Sequence, residues 1–335
     1  MVRRDRPTSR VRPGPKRDDP LSGGGAGLPP YRGTVHITDE VNEALGAGHG
    51  IVALESTILA HGLPRGRNRK LASRLEETVR AAGAVPATIA VLDGEPRIGL
   101  TGGELDRVCT ADLVKLSRRD LAPAYASRRD GATTVAATAA IASAAGIRVF
   151  ATGGLGGVHR GAAGTFDVSA DLDVLAGTPI VVVCSGVKSI LDIAATLEVL
   201  ETRSVPVLGY RTRTFPAFYL RESAYPAPWT VESAAEAAAV ARVHFDEVPG
   251  RAGIVLANPV PADAEMPRAL HDDLLASGLA LLAERGITGH DVTPALLEHF
   301  HTASGGLSID TNEELVVANA ALAAEVAVAL AAGPA

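Results

Sequence analysis

The stretch from Val149 to Leu200 decides the fold, and it reads VFATGGLGGVHRGAAGTFDVSADLDVLAGTPIVVVCSGVKSILDIAATLEVL. An apolar run at 149–151 leads into a glycine-dense turn at 153–157, and a second apolar run at 180–184 leads into the segment SGVKS. Short apolar runs bounded by turn signals are typical of buried strands. In open α/β sheets, ligands bind beyond the carboxyl ends of such strands. The stretch therefore predicts two strand ends that carry a site.

Lys188 is the most reactive group at these strand ends. It follows the second strand and precedes a helix that the apolar spacing predicts over 190–200. A lysine beside a buried strand end can be partly desolvated, which makes its neutral amine available as a nucleophile. The alternative is a surface lysine at the start of a helix. Asp167, Ser169 and Asp171, at alternating positions before the second strand, are further candidates.

Glu55 occupies a similar position after the apolar run at 51–54, with His61 nearby in sequence. Burial at a strand end raises the pKa of a carboxyl toward neutrality, and such a group can act as a general acid or base. The alternative is a glutamate that caps a helix or forms a salt bridge.

Two further segments could bind an anion. An alanine-rich helix is predicted from 131 to 146, and its early amides, with the hydroxyls of Thr133 and Thr134, would form an anion site. Thr133 as a plain N-cap is the alternative. Lys115, Arg118 and Arg119 place three cations near one loop, which suits a phosphate but also suits a solvated surface.

Strands and helices alternate along the rest of the chain. Apolar runs predict further strands at 86–92, 205–210 and 253–257, and Asp93-Gly94 predicts a hairpin turn. Helical spacing predicts helices at 38–47, 71–82, 232–245, 263–285, 293–303 and 312–332. The alternation predicts a layered α/β/α fold with a largely parallel or mixed central sheet, in a single large domain over 33–332. A P-loop, HExxH, GxSxG, CxxC and a GxGxxG nucleotide fingerprint are absent from the sequence.

Composition limits the class of protein. The 335 residues carry a net charge of −6, but residues 1–32 hold eight Arg/Lys and three Asp, so this tail carries +5 and the remainder −11. An acidic body argues against nucleic acid as the main partner. Cys109 and Cys184 match neither a disulfide framework nor a zinc pattern, which favours a reducing cytoplasm.

The tail itself, rich in Pro, Gly and Arg, is predicted to be disordered. A nucleic-acid or membrane arm and an over-long start site are the alternatives. We expect neither a secretory signal nor an apolar stretch of membrane-spanning length.

Together these residues resemble the pseudouridine-5′-phosphate glycosidase family, also called the indigoidine-synthase-A-like family. Matching blocks run in order over about residues 35–330. They include ALESTILAHGLP (53–64), KLSRRDL (115–121), GATTVAAT (131–138), VFATGGLGGVHRG (149–161), TFDVSADL (165–172), VCSGVKSILDI (183–193) and SGGLSIDTN (304–312). A series of blocks in this order is far more specific than any one of them.

The resemblance implies reversible cleavage of the C–C glycosidic bond of pseudouridine 5′-phosphate, which gives uracil and ribose 5-phosphate. Lys188 would be the nucleophile that attacks C1′ of the ring-opened sugar and forms a Schiff base. Glu55 would give a proton to uracil C5. A C–C bond has no leaving oxygen to protonate, so a lysine that acts as an electron sink suits this chemistry better than two carboxylates.

The resemblance also implies the rest of the site. Asp167 would hold one Mn²⁺ per subunit, largely through waters. The residues implied to contact substrate are Lys115, the amide of Val135, Ser169, Ala170, Asp171 and Asn312, to which we add Thr133, Thr134 and, as phosphate contacts, His159 and Arg160. Family members form homotrimers, and we expect the same here, with no nucleic-acid or membrane partner.

The sequence departs from the family pattern at two places. Val187 stands where alanine is expected before the nucleophile, and Ala318-Asn319 stands where Asn-Asn is frequent. Two other hypotheses remain open: a Schiff-base lyase for another C-nucleoside or sugar phosphate, with its choice set by the aromatic loop 211–229, and a non-catalytic sugar-phosphate sensor. A sensor would not need Lys188 and Glu55 together.

Overall fold

The computed structural model describes residues 35–287 and 292–333. The strands are β1 (His36–Ile37), β2 (Ile51–Leu54), β3 (Val85–Leu92), β4 (Glu95–Ile98), β5 (Val114–Leu116), β6 (Gly131–Thr133), β7 (Val149–Ala151), β8 (Val181–Cys184), β9 (Val207–Tyr210), β10 (Trp229–Val231) and β11 (Ile254–Ala257). The helices are α1 (Asp39–Ala47), α2 (Thr57–His61), α3 (Arg67–Ala81), α4 (Gly102–Thr110), α5 (Leu121–Ala126), α6 (Val135–Ala144), α7 (Ala162–Thr165), α8 (Ala170–Ala176), α9 (Ile193–Thr202), α10 (Ala234–Asp246), α11 (Arg268–Arg285), α12 (Val292–Ala303) and α13 (Leu307–Ala331).

The central part of the sheet is parallel. Strands follow one another in the order β3–β2–β7–β8–β11–β9–β10, and each neighbouring pair runs in the same direction. Valines and isoleucines fill these strands, and β2, β7, β8 and β11 are buried along their whole length, as strands covered on both faces must be. The predicted layered α/β fold is confirmed, and the carboxyl ends of these strands lie at one edge.

A smaller mixed extension completes the sheet beside β3. The second half of β3 pairs antiparallel with β4 through the turn at Asp93-Gly94, where both residues have positive φ, 55° and 73°. The predicted hairpin is therefore confirmed. On its other side β3 pairs antiparallel with β6, so that Thr133, which ends β6, meets Ile89 near the end of β2. This pairing brings the carboxyl end of β6 to the same edge of the sheet as the carboxyl end of β2.

The longest helix, α13, packs on the sheet against β2, β7 and β8, and beside α3 and α10. By length and composition alone this helix could cross a membrane, whereas the sequence predicted no stretch of membrane-spanning length. Half of the apolar part of this helix is buried inside the protein, however, as in the core helix of a globular domain. A second group of helices, α6 and α8, packs together, and α6 contacts β2 and β3.

Several predicted helix starts were wrong. Helix α11 begins at Arg268 and not near 263, and α13 begins at Leu307 and not near 312. The helix after Lys188 begins at Ile193 and not near 190, because residues 186 and 187 continue in extended form and Asp192 caps the helix by accepting from the Ala195 amide. Residues 131–133 form β6, and Thr134 rather than Thr133 is the N-cap of α6. The strands β1, β5 and β10 were not predicted. The predicted tail 1–32 and residues 288–291 lie outside the described residues.

We expect Phe150→Ala, in the central strand β7, to lower the free energy of unfolding by about 3–5 kcal/mol, because Phe150 is completely buried and its loss leaves a cavity. Phe166, which is 87% exposed, provides the control, and Phe166→Ala should change the value by less than about 0.5 kcal/mol. Urea denaturation of both variants measures the difference. Equal effects would contradict the assignment of Phe150 to the core.

Candidate active site

Glu55 and Lys188 meet at the carboxyl edge of the parallel sheet. Glu55 follows β2, Lys188 lies four residues beyond β8, and β7 runs between these two strands. The charges of Lys188, Asp171 and Lys115 all act on the Glu55 carboxyl. We call Glu55, Lys115, Asp171 and Lys188 the charge cluster. The sequence predicted each of its members, and the structure brings them together.

Burial is the main influence on the Glu55 carboxyl. It raises the pKa of Glu55 above its ordinary value, against the opposing effects of the Lys188 charge and of a hydrogen bond from Thr152. The hydroxyl of Thr152, the first residue after β7, donates to Oε1 of Glu55. In the described part of the chain, Glu55 forms no salt bridge within 4 Å and caps no helix. A carboxyl with these properties can hold a proton for delivery, as predicted.

Lys188 is held by an extension of the β7–β8 pairing beyond the ends of the two strands. Val187 pairs with Leu155, and the Lys188 amide donates to the Leu155 carbonyl at 3.2 Å. Gly186 has φ +79°, and a Cβ there would lie 2.1 Å from the Pro216 carbonyl oxygen, so this position requires glycine. The side chain of Val187 is completely buried in the core, and the departure from alanine is therefore accommodated by packing.

Lys115 reaches the cluster from β5, which pairs with β6 and not with the central strands. Partial burial and, next, the charge of Lys188 lower the pKa of Lys115, while Glu55 and Asp171 raise it. Partial burial and, next, the charge of Lys115 lower the pKa of His61, which lies on α2. His61 is therefore close to Lys115. The charge of Lys188 therefore acts on Lys115 within the cluster.

Asp171 is buried and serves as a fixed anion. Its Oδ1 accepts from the Ala136 amide at 2.9 Å and its Oδ2 from the Gly156 amide at 2.8 Å. The predicted anion site at the start of α6 is thus used by a carboxylate of the protein itself. A Cβ on Gly156 would lie 2.2 Å from Ser169 Oγ, which explains why the turn after β7 needs glycine there.

Thr133 lies behind the cluster and not in it. Its hydroxyl donates to the Ile89 carbonyl and accepts from Thr138, and its side chain is fully buried. Its amide donates to Ser56 Oγ, one residue after Glu55. A direct contact of the Thr133 hydroxyl with a ligand is not supported; the residue instead fixes the chain beside Glu55. Thr134 accepts from the Ala137 amide at 3.5 Å as the helix cap, and the buried Val135 follows it.

The segment with Asp167 lines the outer side of the cluster. His159 Nδ1 lies 3.5 Å from Asp167 Oδ2. Burial lowers the pKa of His159, Asp167 raises it and Lys188 lowers it, and the net result is a lowered pKa. Ser169 caps α8, whose first residue is the exposed Ala170. The Arg160 guanidinium donates to the Ile190 carbonyl at 3.2 Å, just beyond Lys188.

Two buried polar atoms near Lys188 have no hydrogen-bond partner among the described residues. Ser189 Oγ is adjacent to Lys188 in the chain, and Asn312 Oδ1 lies 3.2 Å from the position of a Cβ on Gly153. A buried polar atom without a partner costs free energy unless a ligand or water completes it. These two atoms are therefore free to receive a ligand. Asn312 was predicted to contact substrate; Ser189 was not.

Sequence reasoning also missed Thr152 and Asn319. Asn319 is completely buried on α13 and donates to the carbonyl of Thr152 at 2.9 Å. One signal was available, since Asn319 follows Asn312 by seven residues and both therefore lie on one face of an otherwise apolar helix.

A metal could be held only weakly by protein ligands here. Among residues 35–287 and 292–333, no group of three or more His, Cys, Asp or Glu side chains could hold an ion. Asp167, half-buried beside His159, offers one carboxylate at the edge of the cluster. This donor set fits a hard cation that keeps most of its waters, and not a closed site of protein ligands.

Comparisons with known proteins agree over almost the whole chain. The sequence profile of the family described as indigoidine synthase A like protein matches residues 40–329. A pseudouridine-5′-phosphate glycosidase from Salinispora tropica is 56% identical over 294 residues, which are 88% of this chain and 91% of that protein. Another from Streptomyces griseus is 51% identical over 328 residues, 97% of each chain.

The same likeness holds in three dimensions. The crystal structure of the prealnumycin C-glycosynthase AlnA in complex with ribulose 5-phosphate superimposes with a TM-score of 0.83 at 38% identity. The match covers 89% of this chain and 97% of that one, so the strands that carry the charge cluster lie within a shared fold.

We expect Gly156→Ala to lower the free energy of unfolding by about 1–3 kcal/mol, because the new methyl group would collide with Ser169 Oγ and Asp171 Oδ2, at 2.2 and 2.8 Å. Gly164→Ala is the matched control, since a Cβ there meets nothing within 4 Å. It should be neutral or stabilise by up to about 1 kcal/mol. Thermal and urea denaturation compare the two, and a harmless Gly156→Ala would contradict the described turn.

The raised pKa of Glu55 predicts a pH dependence of stability. The folded protein holds this proton more tightly than the unfolded chain, so the resulting stabilisation is complete below the ordinary pKa of 4.5 and is lost as pH rises through the folded value. Glu55→Gln has no carboxyl to titrate at this position. Relative to wild type, it should therefore become more stable as pH rises from 4.5 through the folded pKa of Glu55. Urea denaturation at a series of pH values measures it.

Glu40 gives a control of opposite sign, because a hydrogen bond from Arg80 lowers its pKa. Glu40→Gln should lose stability relative to wild type at pH above 4.5, and the loss should disappear as pH falls. Parallel stability curves for Glu55→Gln and wild type would contradict the raised pKa of Glu55.

Proposed function

The chain belongs to the indigoidine synthase A-like family, and from this membership and the geometry of the charge cluster we propose that it cleaves the C–C glycosidic bond of pseudouridine 5′-phosphate. The products are uracil and ribose 5-phosphate, and the reaction is reversible. The single observation that carries the proposal is that the charge of Lys188 acts on a desolvated Glu55 with a raised pKa, at the ends of the two strands that flank β7. A nucleophilic amine and a proton donor are the two groups that this bond cleavage needs.

The proposed chemistry has two bond-breaking steps. The Lys188 nitrogen bonds to C1′ as the C1′–O4′ bond opens, and a proton from this nitrogen passes to O4′, which becomes a hydroxyl. The C1′–C5 bond then breaks as the nitrogen lone pair forms a C=N bond to C1′, and the released electron pair at uracil C5 takes the proton from Glu55. Water hydrolyses the Schiff base to ribose 5-phosphate and frees Lys188, so that the balance is one water per cleavage.

The lysine attacks through its nitrogen lone pair. Burial and, next, the charge of Lys188 lower the pKa of Lys115, so the two side chains lie close to each other in the charge cluster. Once the iminium forms, two carboxylates place negative charge close to it: Asp171, and Glu55 after it has given up its proton. The cluster thus stabilises the cationic intermediate more than the free amine.

The residues that we propose as substrate contacts lie at or after the ends of the strands. Ser169, Ala170 and Asp171 would line the sugar, and Asn312 would supply its unpartnered Oδ1 to a donor of the substrate. Lys115 and the Val135 amide would bind substrate from the β5–α6 side. His159 and Arg160, beside the Lys188 loop, are our candidates for the phosphate.

We further propose that Asp167 holds a hydrated Mn²⁺, with His159 beside it. When bound, the ion would supply positive charge that helps to orient an anionic substrate. A homotrimer and a cytoplasmic location also remain proposals; the buried free thiols Cys109 and Cys184 suit a reducing compartment.

A second candidate keeps the Lys188 Schiff base but joins the sugar phosphate to a different carbon nucleophile. The structural likeness to a C-glycosynthase favours it. The higher identity of the two glycosidases, 56% and 51% against 38%, favours uracil as the acceptor.

Borohydride trapping tests the proposal. Protein incubated with ribose 5-phosphate and then reduced should carry one sugar-phosphate mass on the peptide with Lys188, because reduction of the C=N bond makes it permanent. Lys188→Ala should give no adduct and no uracil from pseudouridine 5′-phosphate. Glu55→Gln should keep the adduct but release uracil about 10²–10⁴-fold more slowly. Peptide mass spectrometry and uracil assay provide the measurements.

Lys115→Ala is the control lysine, and it should retain an adduct on Lys188 because Lys115 binds substrate but forms no bond to it. An adduct on Lys115, or turnover by Lys188→Ala, would contradict the assigned roles. Binding of ribose 5-phosphate without adduct or turnover would favour the sensor. Adduct formation without uracil exchange would favour a different acceptor.

A further inference from the structure

One buried amide joins the ends of three strands next to the charge cluster. Asn319 is completely buried on α13, among alanine, valine and leucine. Its Nδ2 donates to the carbonyl of Thr152 at 2.9 Å and, more weakly, to that of Gly153 at 3.3 Å, both just after β7. Its Oδ1 accepts from Asn258 Nδ2 at 3.0 Å, just after β11. The side chain thus uses both ends of its amide.

Ser185 connects the same amide to β8. Its hydroxyl lies 3.1 Å from Asn319 Nδ2, and Ser185 is fully buried directly after the strand. The orientation of the amide is fixed, because two carbonyl oxygens on one side require the NH₂ group there and the Asn258 donor requires the oxygen on the other. A rotated amide would place its oxygen against two carbonyls.

Two of the three strand ends that Asn319 holds, those of β7 and β8, lead to Glu55 and Lys188. Thr152, whose carbonyl accepts from Asn319, donates its hydroxyl to Glu55. Ser185 begins the loop that ends at Lys188, three residues later. One rigid side chain therefore links the two groups that must act on neighbouring atoms of the substrate.

We propose that Asn319 is a positioning residue that sets the Lys188 amine and the Glu55 carboxyl relative to each other, acting through Ser185 and Thr152. This inference rests on the proposed function, because it concerns the geometry of the same reaction. Asn319 touches no substrate in this scheme. Its effect is on the placement of reacting groups, where an error of about 1 Å can cost about 10²-fold in rate.

Removal of the amide has a defined electrostatic consequence. Without Asn319 the Thr152 backbone is free to shift, and its hydroxyl no longer donates reliably to Glu55. That hydrogen bond lowers the pKa of Glu55 against the larger effect of burial, so its loss raises the pKa further. Because Glu55 works in its protonated form, the alkaline limit of the pH profile of kcat/KM should move to higher pH.

The test compares Asn319→Ala with a matched buried asparagine. Asn68 is 2% exposed, and its Nδ2 donates to the carbonyls of Leu59 and Cys109, both at 2.8 Å, which lie on α2 and α4 and not after β7 or β8. Both alanine variants should lose stability, because each leaves buried carbonyls unpaired. Only Asn319→Ala should lower kcat by about 10²-fold with little change in KM and move the alkaline limit upward.

Thr152→Val supplies a second variant in case Asn319→Ala does not fold. It removes the hydroxyl without disturbing α13, and it should move the alkaline limit in the same direction. Unchanged kcat and an unchanged alkaline limit in folded Asn319→Ala would overturn the proposal and leave Asn319 a purely structural residue. A shift in Thr152→Val that Asn319→Ala does not share would also overturn it.

A direct titration of Glu55 separates this inference from the proposed function. The carboxyl carbon of Glu55 is followed by NMR in the substrate-free protein, with Glu55→Gln used for assignment. A higher Glu55 pKa in Asn319→Ala than in wild type and in Asn68→Ala supports the positioning route even if pseudouridine 5′-phosphate is not the substrate. An equal pKa in all three overturns it, whatever the wild-type protein cleaves.

Discussion

The parallel pairing of β7 with β2 on one side and β8 on the other is the constraint on which the site depends. Adjacent strands lie about 4.8 Å apart, so β2 and β8 are separated by about 10 Å at their carboxyl ends. A lysine and a glutamate that extend from these ends toward each other can act on atoms one bond apart. Thr152 ends the strand between them and bonds to Glu55. The sheet thus provides a spacing that loops alone would not fix.

Different environments give the two buried carboxyls of the charge cluster different tasks. Asp171 receives two backbone amides, and these donors satisfy an ionised carboxylate. Glu55 receives one hydroxyl and is otherwise desolvated, which favours its protonated form. The same type of group thus accepts two backbone amides in one place and is desolvated in the other, where the proposed function uses it as the proton donor.

Local patterns predicted the four residues that the structure brings together in the charge cluster, but they predicted neither all of their contacts nor Thr152 and Asn319. Glu55 and Lys188 were found because each follows a short apolar strand, and resemblance supplied their roles. Thr133 was misjudged because its contacts depend on the antiparallel pairing of β6 with β3, between segments about 40 residues apart. The late start of α9 was missed for a similar reason, since residues 186 and 187 are kept extended by Leu155 and Ala217. Periodicity carries no information on such pairings.

The surroundings of Asn312 and Asn319 within the protein could not be predicted from the sequence because both residues lie on the last helix, whose position on the sheet is set by long-range contacts. An asparagine inside an apolar helix loses its hydration, and it recovers hydrogen bonds only if the helix docks in one position along the strands. Asn319 recovers its bonds at β7, β8 and β11, and this requirement fixes the position of α13 on the sheet. Asn312, two turns earlier, is thereby held beside Gly153 with its oxygen still free. The same docking therefore completes the core and leaves one polar atom available for a ligand.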